Sequence, residues 1–174
     1  NEEFFILYQP IYNLQTGEIT KAEALIRWQH PTHGIVSPFE FIPLAEETGL
    51  INEISNWLFK QVCKNVCFWR EHYLPEIQIC INTSPLQYIE GTNGIGSWLD
   101  HIHKTGTPPQ AIVLEITERL LMEADIKVSD TLTQFRAAGV KVALDDFGTG
   151  YSSISYLQKF TTDIIKIDRS FVHS

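Results

Sequence analysis

The stretch Val140–Ser153, VKVALDDFGTGYSS, decides how the rest of the chain is read. Val140, Ala143 and Leu144 belong to a short apolar run of the kind that forms a buried strand. Two adjacent carboxylates, Asp145 and Asp146, follow it directly. After them Gly148 and Gly150 accept positive φ without steric cost, and Thr149, Tyr151, Ser152 and Ser153 supply hydroxyls. A buried strand running out into paired acids and a glycine-hinged polar loop is a common layout for a site in an α/β barrel. The competing reading is a plain strand-to-helix turn with one aspartate as N-cap. That accounts for one acid and leaves the second unexplained, together with Phe147-Gly148-Thr149-Gly150.

Working outward, the chain alternates strands and helices. Downstream lie a short helix around Ser153–Phe160 and a last strand, Ile164–Ile167, ending at Asp168. Upstream, Asp125–Ala138 reads as a helix closed by Gly139 at its C′ position. Before it comes the strand Ala111–Ile116, with Glu115 near its end and Thr117-Glu118 just beyond. Ile95–Thr105 reads as a helix, and Ile77–Ile81 as a strand that ends in Asn82. In Asn52–His72 the apolar residues Ile54, Trp57, Leu58, Val62 and Val66 fall at helical spacing. Ser37-Pro38 opens a short helix that stops near Gly49, and Pro31–Pro38 before it reads as a loop. Phe4–Tyr12 and Ile19–Trp28 are rich in β-branched and aromatic residues and form a hairpin about Asn13–Glu18. Along the second of these strands Glu23, Leu25 and Arg27 share one face, and Ala22, Ala24 and Ile26 the other.

Polar residues therefore sit at or near successive strand ends: Glu23, Asn82, Glu115, Asp145 and Lys166. The later steps are each about one strand–helix unit long. Such alternation implies a parallel sheet that right-handed crossovers close into a barrel, with functional residues gathered at its C-terminal face. The expected fold is α/β, a TIM-like (β/α) barrel.

Composition narrows the function. With 174 residues the chain is long enough for one domain with a sizeable core. A net charge of −8 argues against a DNA or RNA duplex as partner, which needs basic surface. It leaves room for one small phosphate ligand held by local cations. Three cysteines, an odd number, suit a reducing compartment, and Cys63 and Cys67 read as helix packing rather than a metal pair. No apolar run approaches the roughly 18 residues of a membrane span. A cytoplasmic protein is expected, or the cytosolic domain of a larger, membrane-anchored one.

Carboxylates plus an amide oxygen, with no His or Cys among them, suit Mg²⁺ or Mn²⁺. Four or five such ligands hold two ions, which activate a water and stabilise the leaving oxygen of a phosphodiester. Arg27 and Lys166 offer phosphate contacts. Singly, each residue has a plainer role: Glu23 facing solvent, Asn82 in a turn, Glu115 beside a lysine, Lys166 in an ion pair with Asp168 or Asp145. Their shared placement at strand ends argues for the site.

KAEALIRW around Glu23-Ala24-Leu25, INTSPLQ from Ile81, LEITER from Leu114, DDFGTGYSS from Asp145 and KIDRSFV from Lys166 together resemble the EAL family of bacterial cyclic di-GMP phosphodiesterases. Tyr8-Gln9-Pro10, FEFIPLAEETGL from Phe39 and Trp57 extend the match over nearly the whole chain, as a single EAL-type domain spanning residues 1–174. The resemblance implies a TIM-like barrel with one antiparallel strand. It implies metal ligands at Glu23, Asn82, Glu115, Asp145 and Asp146, with Lys166 close to the attacking water. Glu118 would steady the DDFGTGYSS loop, Asp146–Ser153 would take part in a homodimer, and Gln9, Leu25 and Arg27 would touch the nucleotide. The implied reaction is hydrolysis of cyclic di-GMP to linear pGpG with two Mg²⁺ or Mn²⁺ ions. The alternative is a non-catalytic cyclic di-GMP receptor. The resemblance also implies two further barrel strands that these 174 residues do not hold, and they carry a glutamate and a glutamine near the site. An open barrel exposes strand edges, so further residues that close it are expected.

Overall fold

The computed structural model describes residues 3–88, 94–123, 126–148 and 161–171. Its centre is one sheet. Strand β1 (Phe4–Tyr12) pairs antiparallel with β2 (Ile19–His30), as the hairpin reading requires. The strands β4 (Gln78–Asn82), β5 (Ile112–Thr117), β6 (Lys141–Phe147) and β7 (Ile164–Ile167) then add in parallel, giving the order β1-β2-β4-β5-β6-β7. A three-residue strand, β3 (Gly34–Val36), folds back on the end of β2. It falls inside the segment expected to be a loop, because three residues are too few for a period-two pattern to show.

Helices α1 (Pro38–Glu47), α2 (Ile51–His72), α3 (Ser97–Thr105), α4 (Glu118–Glu123) and α5 (Ile126–Ala137) connect the strands. Helix α1 begins as its sequence dictates: Ser37 is the N-cap, its hydroxyl accepting from the Phe39 N–H, and Pro38 takes the first helical position. Helix α4 starts directly at Glu118 and was not anticipated, since a six-residue helix carries less than two turns of periodicity. The helix expected around Ser153–Phe160 lies outside the described residues.

The central parallel strand β5 has two buried faces, which is why it reads IVLEIT rather than alternating polar and apolar. Ile79, Ile81, Ile112, Leu114, Ile116, Val142 and Leu144 point outward to the helices. They meet Leu58, Phe59, Val62, Val66 and Phe135 in the main core. Phe59 stacks on Trp98 with ring centroids 4.1 Å apart. Full burial of one such aliphatic side chain is worth about 1.5–3 kcal/mol, so this layer fixes the sheet against its helices. On β2 the Ala22, Ala24 and Ile26 face belongs to this outer core. The opposite faces turn inward, where Cys80, Val113 and Ala143 form a second, smaller core with Ile11 and Ile164. Glu23, Glu115, Asp145 and Lys166 share that inner side.

Candidate active site

Strand register brings the inner-face polar residues together. Glu23 lies opposite Cys80, Asn82 opposite Glu115, and Thr117 opposite Asp145. The site residue thus advances two positions from β2 to β4 and again from β5 to β6, the stagger of tilted strands in a curved sheet. Residues far apart in sequence converge as a result.

At the meeting point stands Lys166. Its Nζ donates to Glu115 Oε2 at 2.8 Å, Asp145 Oδ2 at 2.9 Å and Glu23 Oε2 at 3.1 Å. An ammonium has three donors, and each has found a carboxylate. Asn82 Nδ2 donates to the other Glu23 oxygen, Oε1, at 2.7 Å, so the nitrogen is engaged and the amide oxygen is the end that could act as a ligand. The lysine pairs with Asp145, as the plainer reading of that residue expects, and with two further acids as well.

Burial sets the electrostatics. Glu115 is 1% exposed, and its Oε1 accepts no hydrogen bond among the described residues. Burial pushes its carboxyl up to about 7, against the pull of the Lys166 charge. For Lys166 burial works the other way, disfavouring the ammonium, but Glu115, Asp145 and Glu23 outweigh it and hold the group above its ordinary value. Three carboxylates whose oxygens come within 4.8 Å of one another face a single ammonium. The cluster keeps an excess of negative charge.

Asp146 is placed differently. The pairing of β6 with β7 shifts register between Leu144 and Phe147, so the strand bulges at the two acids and continues to Phe147. The expected strand end at Leu144 is therefore a bulge, a device that re-aims side chains beside sites. Asp146 has φ 54°, the one non-glycine residue at positive φ among those described. It lies outside the group formed by Glu23, Glu115 and Asp145. Its N–H donates to Asp145 Oδ1 at 2.9 Å, and burial together with the charges of Asp145 and Asp168 raises its pKa. Glu118, first residue of α4, accepts from the Gly148 N–H at 3.4 Å, a contact onto the loop segment. Residues 149–153 of the expected dimer segment lie outside the described residues.

Gln9, Leu25 and Arg27 stand on the inner face of the hairpin. Gln9 is opposite Glu23, and Leu25 opposite Leu7. Arg27 is half-buried and donates from Nη1 to the Ile26 carbonyl at 2.8 Å. Leu25, Arg27 and Asn82 line a groove of about 300 Å³ that runs between the sheet and helices α1 and α2.

One supporting group was not assigned a role from sequence. Thr83 donates through both its N–H and its hydroxyl to the Glu115 carbonyl, at 3.0 and 2.8 Å. The Ser84 N–H donates to Gln87 Oε1 at 2.7 Å, and its hydroxyl to Glu46 Oε1 at 2.6 Å. Ser84-Pro85-Leu86-Gln87 has the Ser-x-x-Gln spacing of a capping box with proline at the first helical position. That was the available signal, and it opens the short helical turn Pro85–Tyr88.

Comparison with known proteins identifies the family and the fold. The EAL domain family model matches residues 1–174. The chain is 45% identical over 170 residues to the uncharacterized protein y4lL of Sinorhizobium fredii, covering 98% of this chain and 20% of that protein. It is 37% identical over 167 residues to the bifunctional diguanylate cyclase/cyclic di-GMP phosphodiesterase MucR of Pseudomonas aeruginosa, covering 95% of this chain and 24% of MucR. The chain spans about a fifth to a quarter of the length of these curated relatives. Among solved structures, the MucR phosphodiesterase in complex with c-di-GMP superposes with a TM-score of 0.90 at 35% identity, over 98% of this chain and 68% of that one. The EAL enzyme Bd1971, in its cAMP and cyclic di-GMP bound form, superposes with a TM-score of 0.88 at 35% identity, over 98% of this chain and 47% of that one. The mixed α/β sheet is that of the TIM-like barrel of EAL domains, here as a partial sheet. No described helix is long and apolar enough to cross a membrane.

Proposed function

We propose that this chain, which belongs to the EAL domain family, hydrolyses one phosphodiester bond of cyclic di-GMP to give linear pGpG in bacterial signalling, with residues 1–174 forming one domain. The observation that carries the reading is the convergence of Glu23, Glu115 and Asp145 on Lys166 at the inner face of the sheet.

The donor set fits a hard divalent cation. It offers three carboxylates, a buried Glu115 oxygen with no described partner, and an amide oxygen from Asn82. Glu23, Asn82, Glu115 and Asp145 would hold Mg²⁺ or Mn²⁺, with Asp146 on the neighbouring bulge available to a second ion. Bound there, such ions polarise phosphoryl oxygens and lower the pKa of water.

The remaining steps belong to the chain's own residues. Lys166 stays protonated, so it keeps a positive charge beside the phosphate and the water that attacks it, its three N–H donors being held by the carboxylates. Arg27, Gln9 and Leu25 orient the nucleotide along the inner face, Arg27 being suited to a phosphate oxygen. Glu118 anchors the Gly148 N–H and so holds the bulge that carries Asp145 and Asp146.

Turnover tests the reading. The protein is incubated with cyclic di-GMP and Mn²⁺, and the nucleotides are separated by chromatography. Appearance of pGpG that a chelator abolishes is the expected result. Nucleotide bound but intact in the presence of Mn²⁺ would instead make the chain a cyclic di-GMP receptor.

A further inference from the structure

The segment directly after Asn82 is held from two sides within two residues. Thr83 is fastened to the Glu115 carbonyl through its N–H and its hydroxyl. Ser84 is fastened to Gln87 through its N–H and to Glu46 through its hydroxyl. Glu46 lies on α1, across the groove from the end of β4. A 2.6 Å bond from a hydroxyl to a carboxylate is charge-assisted, roughly twice as strong as a neutral one. Ser84 itself is 8% exposed, so water competes poorly for that bond. Asn82, by contrast, is exposed, and its side chain is described in a single hydrogen bond, to Glu23. The Glu23 bond holds the amide at its nitrogen, and the backbone anchor at Thr83 and Ser84 fixes where the side chain starts.

We infer that Glu46 and Ser84 are positioning residues for Asn82: their hydrogen bond ties α1 to the end of β4 and presents the Asn82 amide oxygen to a divalent cation. The assignment rests on the metal reading above. It differs from simple gluing of a helix to a sheet, because it requires the effect of either residue to pass through Asn82. Partners that orient a metal ligand typically change metal affinity 10–100-fold when removed.

The test is Mn²⁺ binding by the whole chain without nucleotide, measured by calorimetry. Ser84→Ala and Glu46→Ala are expected to weaken Mn²⁺ binding about 10–100-fold. Glu46→Gln keeps an acceptor oxygen for the Ser84 hydroxyl, in a bond that is weaker for want of the charge, and is expected to stay within about threefold of the wild type. In an Asn82→Ala background, adding Ser84→Ala is expected to change affinity by no more than about twofold, because groups acting through one ligand are not additive. Equal losses in both backgrounds would overturn the assignment, as would wild-type affinity in Ser84→Ala and Glu46→Ala. Absence of Mn²⁺ binding by the wild type is a separate result, and it would overturn the metal reading itself. Should Ser84→Ala melt early, the Glu46→Ala and Glu46→Gln pair decides alone, being one half-buried helix position with and without an acceptor.

Discussion

Replacing Lys166 with methionine removes the ammonium and leaves a side chain of similar length. In the wild type that ammonium satisfies Glu115, Asp145 and Glu23 at 2.8, 2.9 and 3.1 Å. Glu23 and Asp145 have side chains 18% and 20% exposed and regain some water, whereas the Glu115 side chain has no exposed surface. Stripping one partner from a buried pair costs about 3–5 kcal/mol when the other charge must stay ionised. Glu115 has an escape, because its carboxyl already stands at about 7 while Lys166 is pulling it down. Without the lysine it rises further, and at acid pH it takes a proton instead of remaining a bare charge. A carboxyl whose folded pKa is raised contributes stability that is full below its unfolded pKa and is lost as pH rises through the folded value. The penalty of Lys166→Met is therefore expected to be about 3 kcal/mol at alkaline pH and much smaller below the ordinary carboxylate range. For a chain of this size that corresponds to a melting temperature lower by roughly 6–12 °C in the alkaline sample. The assay is thermal melting in chelator, from acid to alkaline pH, followed by Mn²⁺ addition. Mn²⁺ is expected to return about 2.7 kcal/mol at a hundredfold excess over its dissociation constant. A variant melting within about 2 °C of the wild type at alkaline pH would refute the reasoning, since the three acids would then not depend on the lysine.

Three further outcomes are expected. Glu23→Ala should abolish pGpG formation and weaken Mn²⁺ binding by calorimetry, and retained turnover would remove Glu23 from the metal set. Gly148→Ala places a Cβ within 2.6 Å of the Phe171 ring at a φ of +100°. The exposed ring shifts aside readily, so the cost is mainly the backbone, about 1–2 kcal/mol, or roughly 2–8 °C in melting temperature. Asp163 accepts from Arg136 Nε at 3.1 Å and Nη2 at 3.2 Å, and from the Val142 N–H at 2.9 Å. Burial raises its carboxyl, but these partners outweigh it and hold the group below the usual range. Stability from a depressed carboxyl is present above its unfolded pKa and lost as pH falls through the folded one. Asp163→Asn should thus cost about 1–3 kcal/mol near neutral pH, and denaturant titration should show the gap closing below about pH 4.

Much of this was legible before any coordinates. Strand faces are local: once Ile19–Trp28 is a strand, Glu23 and Arg27 must lie opposite Ala22, Ala24 and Ile26, and the burial follows that parity. Helix α2 announces itself through Leu58, Val62 and Val66, four apart and all buried. The β6 bulge was not legible. Whether the strand stops at Leu144 or carries on through Asp145 and Asp146 depends on Phe147 finding Ile167, a pairing partner twenty residues away that no local pattern names.

By itself, then, the sequence determined the residue types of the site, their order at successive strand ends and the barrel class, because apolar period and strand–helix alternation are written along the chain. Tertiary structure decided which acids meet. Glu23, Glu115 and Asp145 reach one ammonium because the strands are tilted, so register rather than sequence position sets their height. It also decided that Asp146, chemically the equal of its neighbour, stands apart: a left-handed backbone at one bulged residue turns two adjacent aspartates into two different environments.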